Sequence, residues 1–172
     1  MKGVNMTNEK SAQPTLHIVY ISIEGNTRAF VQKMQKYAQE MHAQNARNRL
    51  VTLDEVSEAS APLEIQGPFA VFVPTYLGGG NGINNGNNEI LTTELYDTLT
   101  DFDNYKNCYG VVGSGNRNFN AQFGLTAKQY AAHFGFPLLD LFELRGTPKD
   151  VQKVYAHLNT RQTEFEQALK TD

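Results

Sequence analysis

At 172 residues the chain has the size of one domain, since domains run to roughly 100–200 residues, and such a chain hides roughly two-thirds of its unfolded surface without disulfide or metal staples. Its composition, 40% hydrophobic and 19% charged, is ordinary globular material and excludes a collagenous, coiled-coil or wholly disordered chain. With 15 basic and 18 acidic residues the formal charge is -3, which excludes a diffuse nucleic-acid binder.

The first 14 residues, Met1 to Pro14, are polar and lack an apolar segment followed by a cleavage site, so they read as a flexible N-terminal tail ahead of one domain over residues 15–172. Leu16-His17-Ile18-Val19-Tyr20-Ile21 is a β-rich run. Ser22-Ile23-Glu24-Gly25-Asn26-Thr27 follows at once. A helical stretch from Arg28 to Ala43 comes next, with Phe30, Met34, Tyr37, Ala38 and Met41 making one apolar face. A second strand is predicted over Arg49 to Leu53 and a connection over Asp54 to Pro68. Phe69-Ala70-Val71-Phe72-Val73 has the near-continuous hydrophobicity of a strand buried on both faces.

Beyond Pro74 lies a loop, Thr75 to Asn88, in which every residue between Gly78 and Asn88 except Ile83 is Gly or Asn. Ile90, Leu91, Leu95 and Leu99 mark a further helix, and Cys108-Tyr109-Gly110-Val111-Val112 a further buried strand. A second loop, Gly113 to Asn118, leads to a helix over Ala121 to Phe134 that stops at Gly135, with Pro137 behind it. Leu138 to Leu144 is the fifth strand. Thr147-Pro148-Lys149-Asp150 opens the last helix with a capping residue and a proline in the first turn, and Asn159 to Arg161 is a candidate break in it.

Strands alternating with helices specify an α/β fold with a mostly parallel sheet. The handedness of crossovers and a phosphate-type loop after the first strand favour a flavodoxin-like three-layer sandwich, five-stranded and parallel, in the order 2-1-3-4-5. Ligands in such sheets bind beyond the carboxyl ends of the strands. The loops after strands 1, 3 and 4 therefore converge on one crevice.

Each of the three loops has a chemistry. Ser22 to Thr27 joins a strand to a helix N-terminus, where free N–H groups and the helix dipole favour an anion. Ser22 and Thr27 add hydroxyls, Asn26 an amide, and Gly25 close backbone approach. The set fits a single phosphate, with Ile23 and Glu24 contributing backbone and the Glu24 carboxylate turned outward. The bland alternative is a capped helix. The loop is neither a Walker P-loop nor the G-x-G-x-x-G dinucleotide pattern. Thr75 and Tyr76, with Leu77, Gly78 and Gly79 behind them, offer an aromatic face to a planar ring and peptides free to flip. Tyr76 as a lid on the core is the competing reading. Ser114, Gly115, Asn116, Asn118 and Phe119, with Phe123 a turn further on, supply hydrogen-bonding groups and aromatics; here the alternative is a helix-capping turn, with Phe123 in the core.

Elsewhere the sequence is plain. Cys108, the single cysteine, can form no internal disulfide, reads as buried packing and fits a reducing cytosol. His17, His42, His133 and His157 are scattered, so no metal site is expected. Asp97, Asp101 and Asp103 read as a solvated face. Arg117 either steers a partner or is simply solvated. No apolar run reaches the roughly 20 residues of a membrane span.

Ser22-Ile23-Glu24-Gly25-Asn26-Thr27-Arg28-Ala29-Phe30, Pro74-Thr75-Tyr76 with its glycine run, Gly113-Ser114-Gly115-Asn116-Arg117-Asn118-Phe119 and Phe142-Glu143-Leu144-Arg145-Gly146-Thr147-Pro148 together resemble the NrdI family, over about Leu16 to Leu158. Departures from the family pattern are the polar leader, Glu24, the extended Gly/Asn loop and the tail after Leu158. The resemblance implies FMN as cofactor and a cytoplasmic redox accessory role towards class Ib ribonucleotide reductase. It further implies that a cellular flavin reductant reduces the FMN, that the reduced FMN reacts with O2, and that superoxide passes to the dimanganese small subunit for tyrosyl-radical assembly. The flavin carries that chemistry, so no side chain is expected to act as acid, base or nucleophile. The rival readings are a flavodoxin-type one-electron carrier and a non-enzymatic flavin-binding regulatory module.

Overall fold

The computed structural model describes residues 13–75, 92–116 and 124–171. The central sheet is built from β1 (Leu16–Tyr20), β2 (Val51–Glu55), β3 (Phe69–Pro74), β4 (Cys108–Gly115) and β5 (Leu138–Glu143). All four strand pairings are parallel and the order is β2-β1-β3-β4-β5, as the sequence predicts. Tyr20 pairs with Phe72, Val71 with Val111, and Gly113 with Leu141, so the carboxyl ends of the strands share one edge.

Period-two alternation divides the strands between two cores. Ile18, Tyr20, Ala70 and Phe72 pack with Phe30, Val31, Met34 and Ala38 of α1 (Asn26–Gln44) and with Val151, Val154 and Leu158 of α4 (Pro148–Thr171). Val19, Val71, Val73 and Val111 pack on the opposite face with Leu95 and Leu99 of α2 (Thr93–Thr100) and Ala127 and Tyr130 of α3 (Leu125–Phe134). At about 1.5–3 kcal/mol per fully buried large side chain, these two faces hold the three layers together.

Several boundaries differ from the sequence reading. α1 begins at Asn26, two residues ahead of the predicted Arg28. β2 runs two residues later than predicted because Arg49 serves elsewhere. Its side chain, 3% exposed, donates to the Pro14 carbonyl at 2.8 Å, to Thr163 Oγ1 at 3.0 Å and to Glu166 Oε1 at 3.2 Å. The predicted connection therefore loses Asp54 and Glu55 to the strand. Both are tolerated because β2 is an edge: His17 Nε2 lies 2.6 Å from Asp54 Oδ2, and the Tyr20 hydroxyl donates to Glu55 Oε1 at 2.9 Å.

β4 continues through Gly113, Ser114 and Gly115, residues the sequence assigned to a loop, and β5 stops at Glu143. A 3-10 segment, Asp101–Asn107, has no counterpart in the reading. α4 is continuous through Asn159 to Arg161 and has no break, since Asn159 Nδ2 folds back onto the Tyr155 carbonyl at 2.8 Å. The leader as far as residue 12, most of the Gly/Asn loop, Ile90, Leu91, and residues 121–123 of the predicted fourth-strand helix lie outside the described residues. Among the described residues no helix is long and apolar enough to cross a membrane.

Candidate functional site

The crevice at the carboxyl edge is assembled from strand ends. β1 runs out at Tyr20, and the chain turns into α1 through Gly25, the residue preceding the helix, whose φ of 88° and ψ of -6° are left-handed. A Cβ there would meet nothing nearer than an Arg28 Nη1 at 4.0 Å, so backbone conformation, not crowding, calls for glycine. The Arg28 N–H donates to Ser22 Oγ at 3.2 Å, which leaves the Ser22 hydroxyl proton for another acceptor. The N–H groups of Asn26 and Thr27 have no partner within the helix, as helix geometry requires. No acidic residue stands in the first turn, and the Glu24 side chain is exposed.

Thr27 Oγ1 lies 3.3 Å from Ser114 Oγ, joining the β1 loop to the end of β4, with both residues 1% exposed. Two hydroxyls share one hydrogen bond, so one proton of the pair is not used in it. Thr75 completes the line. Its N–H donates to the Ser114 carbonyl at 2.7 Å, and its Oγ1 accepts from the Thr126 N–H at 2.8 Å, capping α3 from a neighbouring strand. The structure thus brings the Ser22–Thr27 loop, Thr75 and Ser114–Asn116 onto one edge, as the sequence predicts. Tyr76, Leu77, Gly78, Gly79, Asn118, Phe119 and Phe123, and with them Arg117, lie outside the described residues.

The segment after β5 was not among the candidate residues, yet it closes the same edge. The Leu144 N–H donates to the Gly115 carbonyl at 2.8 Å, and Arg145 Nε to Asn26 Oδ1 at 3.1 Å. Asn26, Glu143, Leu144, Arg145, Gly146, Thr147 and Asp150 line a cleft of about 470 Å³ beside the helix entry. The signal was present twice: β5 is one of the strands whose carboxyl ends define the crevice, and Phe142 to Pro148 is one of the strings that carry the family resemblance.

That string is also explained by packing. Phe142 stacks on Phe30 with ring centroids 3.8 Å apart and planes inclined by 13°. Gly146, at φ 69°, passes so close that a Cβ would lie 2.6 Å from the Phe30 ring. Thr147 and Asp150 then make a reciprocal cap: the Thr147 N–H donates to Asp150 Oδ2 at 2.9 Å and the Asp150 N–H to Thr147 Oγ1 at 3.2 Å.

The charge beside α1 is set by Arg28, whose Nε donates to Glu55 Oε1 at 2.8 Å while Nη2 pairs with Oε2. The guanidinium holds the Glu55 carboxyl below its ordinary range. Burial, assisted by Glu55, pushes the Tyr20 phenol up to about 12. Among the described residues no three His, Cys, Asp or Glu side chains converge as metal ligands.

A parallel 2-1-3-4-5 sheet with a serine-, threonine- and glycine-bearing helix entry after its first strand defines a flavodoxin-like protein. The family model described as NrdI Flavodoxin like matches residues 18–156, and the chain belongs to that family. It is 46% identical over 142 residues to an NrdI-like protein of Streptococcus pneumoniae (strain ATCC BAA-255 / R6), covering 83% of this chain and 91% of that one. Protein NrdI of Streptococcus pyogenes serotype M1 is 34% identical over 142 residues, covering 82% of this chain and 76% of the other. Among solved structures, rubredoxin oxygen:oxidoreductase from the anaerobe Desulfovibrio gigas superposes with a TM-score of 0.55 at 17% identity, over 94% of this chain and 38% of that one, a likeness of fold. Family membership carries a flavodoxin-like redox accessory role, a flavin as ligand class and an association with ribonucleotide reductase.

Proposed function

We propose that the chain is an FMN-binding redox accessory protein of a class Ib ribonucleotide reductase, working in the cytoplasm with that enzyme's dimanganese small subunit. The observation that carries this reading is the helix entry Gly25-Asn26-Thr27, where a left-handed backbone and N–H groups without a partner in the helix lie beside the Thr27–Ser114 hydroxyl pair at the carboxyl edge of the sheet. That donor set fits a monophosphate, and the chain has no dinucleotide fingerprint that would hold a second phosphate.

Bound FMN, after reduction by a cellular flavin reductant, would supply the reaction with O2 whose superoxide serves tyrosyl-radical assembly in the small subunit. The protein's part is binding and orientation. Ser22, Asn26 and Thr27 would hold the phosphate with the backbone of Ile23, Glu24 and Gly25. Thr75, Ser114, Gly115 and Asn116 would border the remainder of the ligand, and Tyr76 to Gly79, Asn118, Phe119 and Phe123 complete the proposed set. Thr75 and Ser114 would present a fixed wall there, because Thr75 N–H is bonded to the Ser114 carbonyl and Thr75 Oγ1 to the Thr126 N–H.

The test is an absorption spectrum of the purified protein, identification of the extracted flavin and an anaerobic reductive titration, followed by activation of the manganese-loaded small subunit in the presence of O2. FMN, full reduction by a mild reductant and appearance of the tyrosyl radical are expected. Extracted FAD, or no flavin after reconstitution, overturns the reading. Two widely separated reduction potentials and no radical favour a one-electron carrier.

A further inference from the structure

We infer that Arg145 is a phosphate-positioning cation of this chain, adding positive charge at the helix entry, where Arg28 is already paired with Glu55. The inference rests on the reading of Ser22–Thr27 as a monophosphate cradle. A phosphate monoester carries about 1.5 to 2 negative charges at neutral pH, and Glu24 adds another within the same loop. The nearest cation in sequence is Arg28, but both carboxylate oxygens of Glu55 already engage it. That pair offsets much of its charge, leaving Nη1 about a van der Waals contact from the Gly25 position, so a second cation from another element would strengthen the cradle.

The turn after β5 delivers it. Arg145 Nε donates to Asn26 Oδ1 at 3.1 Å, and Asn26 is the first residue of α1, so the guanidinium is held at the mouth of the cradle. Its turn is fixed by two backbone bonds of 2.8 Å, Leu144 N–H to Gly115 O and Gly146 N–H to Glu143 O, and by the left-handed conformations of Leu144 at φ 53° and Gly146 at φ 69°. Among the described residues the two terminal nitrogens of Arg145 have no hydrogen-bond or ion-pair partner. With Nε committed to Asn26, these two present the planar fork that matches phosphate oxygens. The Lys33 ammonium lies behind, 3.5 Å from the Arg145 carbonyl, and adds to the local field.

Riboflavin differs from FMN only in lacking the phosphate, so the pair isolates this contact. Equilibrium dissociation constants for FMN and riboflavin are measured for the full chain, R145Q and R145K at low and high salt, with thermal unfolding of each variant as the folding control. Expected for R145Q are FMN binding about tenfold weaker at low salt, unchanged riboflavin binding and unchanged unfolding. The loss should shrink as salt screens the charge, and R145K should fall between the two because it keeps charge without the fork. An R145Q protein that retains the full preference for FMN over riboflavin, or loses both ligands equally, overturns the inference while leaving the flavin reading intact. A wild-type chain that binds neither ligand overturns the flavin reading, and this inference with it.

Discussion

Phe30 of α1 and Phe142 of β5 stack at 3.8 Å, and the turn that carries Arg145 is folded against the Phe30 ring through Gly146. Aromatic packing thereby sets where the β5 turn meets the start of α1. Phe142→Ala opens a cavity in the α1–α4 core and should cost about 3–5 kcal/mol. Gly146→Ala forces a Cβ into the ring at a left-handed position and should cost about 2–4 kcal/mol. Urea unfolding followed by circular dichroism measures both, and a loss under about 1 kcal/mol in either would show that the turn repacks freely.

At the helix entry, Gly25→Asp should reduce FMN affinity by more than about tenfold, because a left-handed aspartate strains the turn and adds negative charge at the anion site. Gly25→Ala adds the strain alone and should fall between. Fluorescence quenching of added FMN separates the two contributions, and equal affinity of Gly25→Asp and wild type would remove this turn from the binding site.

Arg28 and Glu55 give a prediction for acid stability. The folded Glu55 carboxyl titrates below its unfolded value, so its contribution is full above about pH 4.3 and is lost as pH falls through the depressed value. The Arg28 side chain is 45% exposed, which limits the contribution to about 0.5–1 kcal/mol. Glu55→Gln should therefore lower stability by that amount at pH 7, and the two stabilities should converge as pH falls through and below the depressed value. A gap of constant size across this range would assign the effect to packing instead.

Burial pushes the Cys108 thiol up to about 12, and its Sγ faces the Gly110 carbonyl at 3.3 Å. At pH 8 the folded protein should react with a thiol reagent only as fast as it unfolds, whereas denaturant should expose one thiol per chain at once. Stoichiometric labelling within seconds of mixing under native conditions would contradict the burial.

Much of this was legible in the sequence because it is local. Branched and aromatic runs located β1, β3 and β4, and Ser22 to Thr27 announced its own helix entry. What escaped depends on distant partners. Arg49 reads as the first residue of a strand, yet its partners lie at Pro14, Thr163 and Glu166. The 3-10 segment holds Phe102 and Asp103 at a φ of 55°, a conformation that a phenylalanine disfavours. It is secured by Asn104, whose amide accepts from the Ile65 N–H and donates to the carbonyls of Leu63 and Thr98. Arg145 reads as an exposed charge until the fold sets it beside Asn26.

The Arg49 network gives the stretch beyond the family match a purpose. That match ends at residue 156, but Gln162, Thr163 and Glu166 lie further along α4 and close a clasp on the segment leading into β1: Gln162 Nε2 donates to the Thr15 carbonyl at 3.0 Å, and Arg49 reaches Pro14. Glu166→Ala would leave a guanidinium that is 3% exposed without its carboxylate, at a cost of about 3–5 kcal/mol. The clasp sits at the amino edge of the sheet, across the molecule from the crevice proposed to hold the flavin. Shortening α4 should therefore loosen the foundation of the fold while the crevice's own contacts stay unchanged, so that flavin affinity falls only as the fraction of folded chains falls.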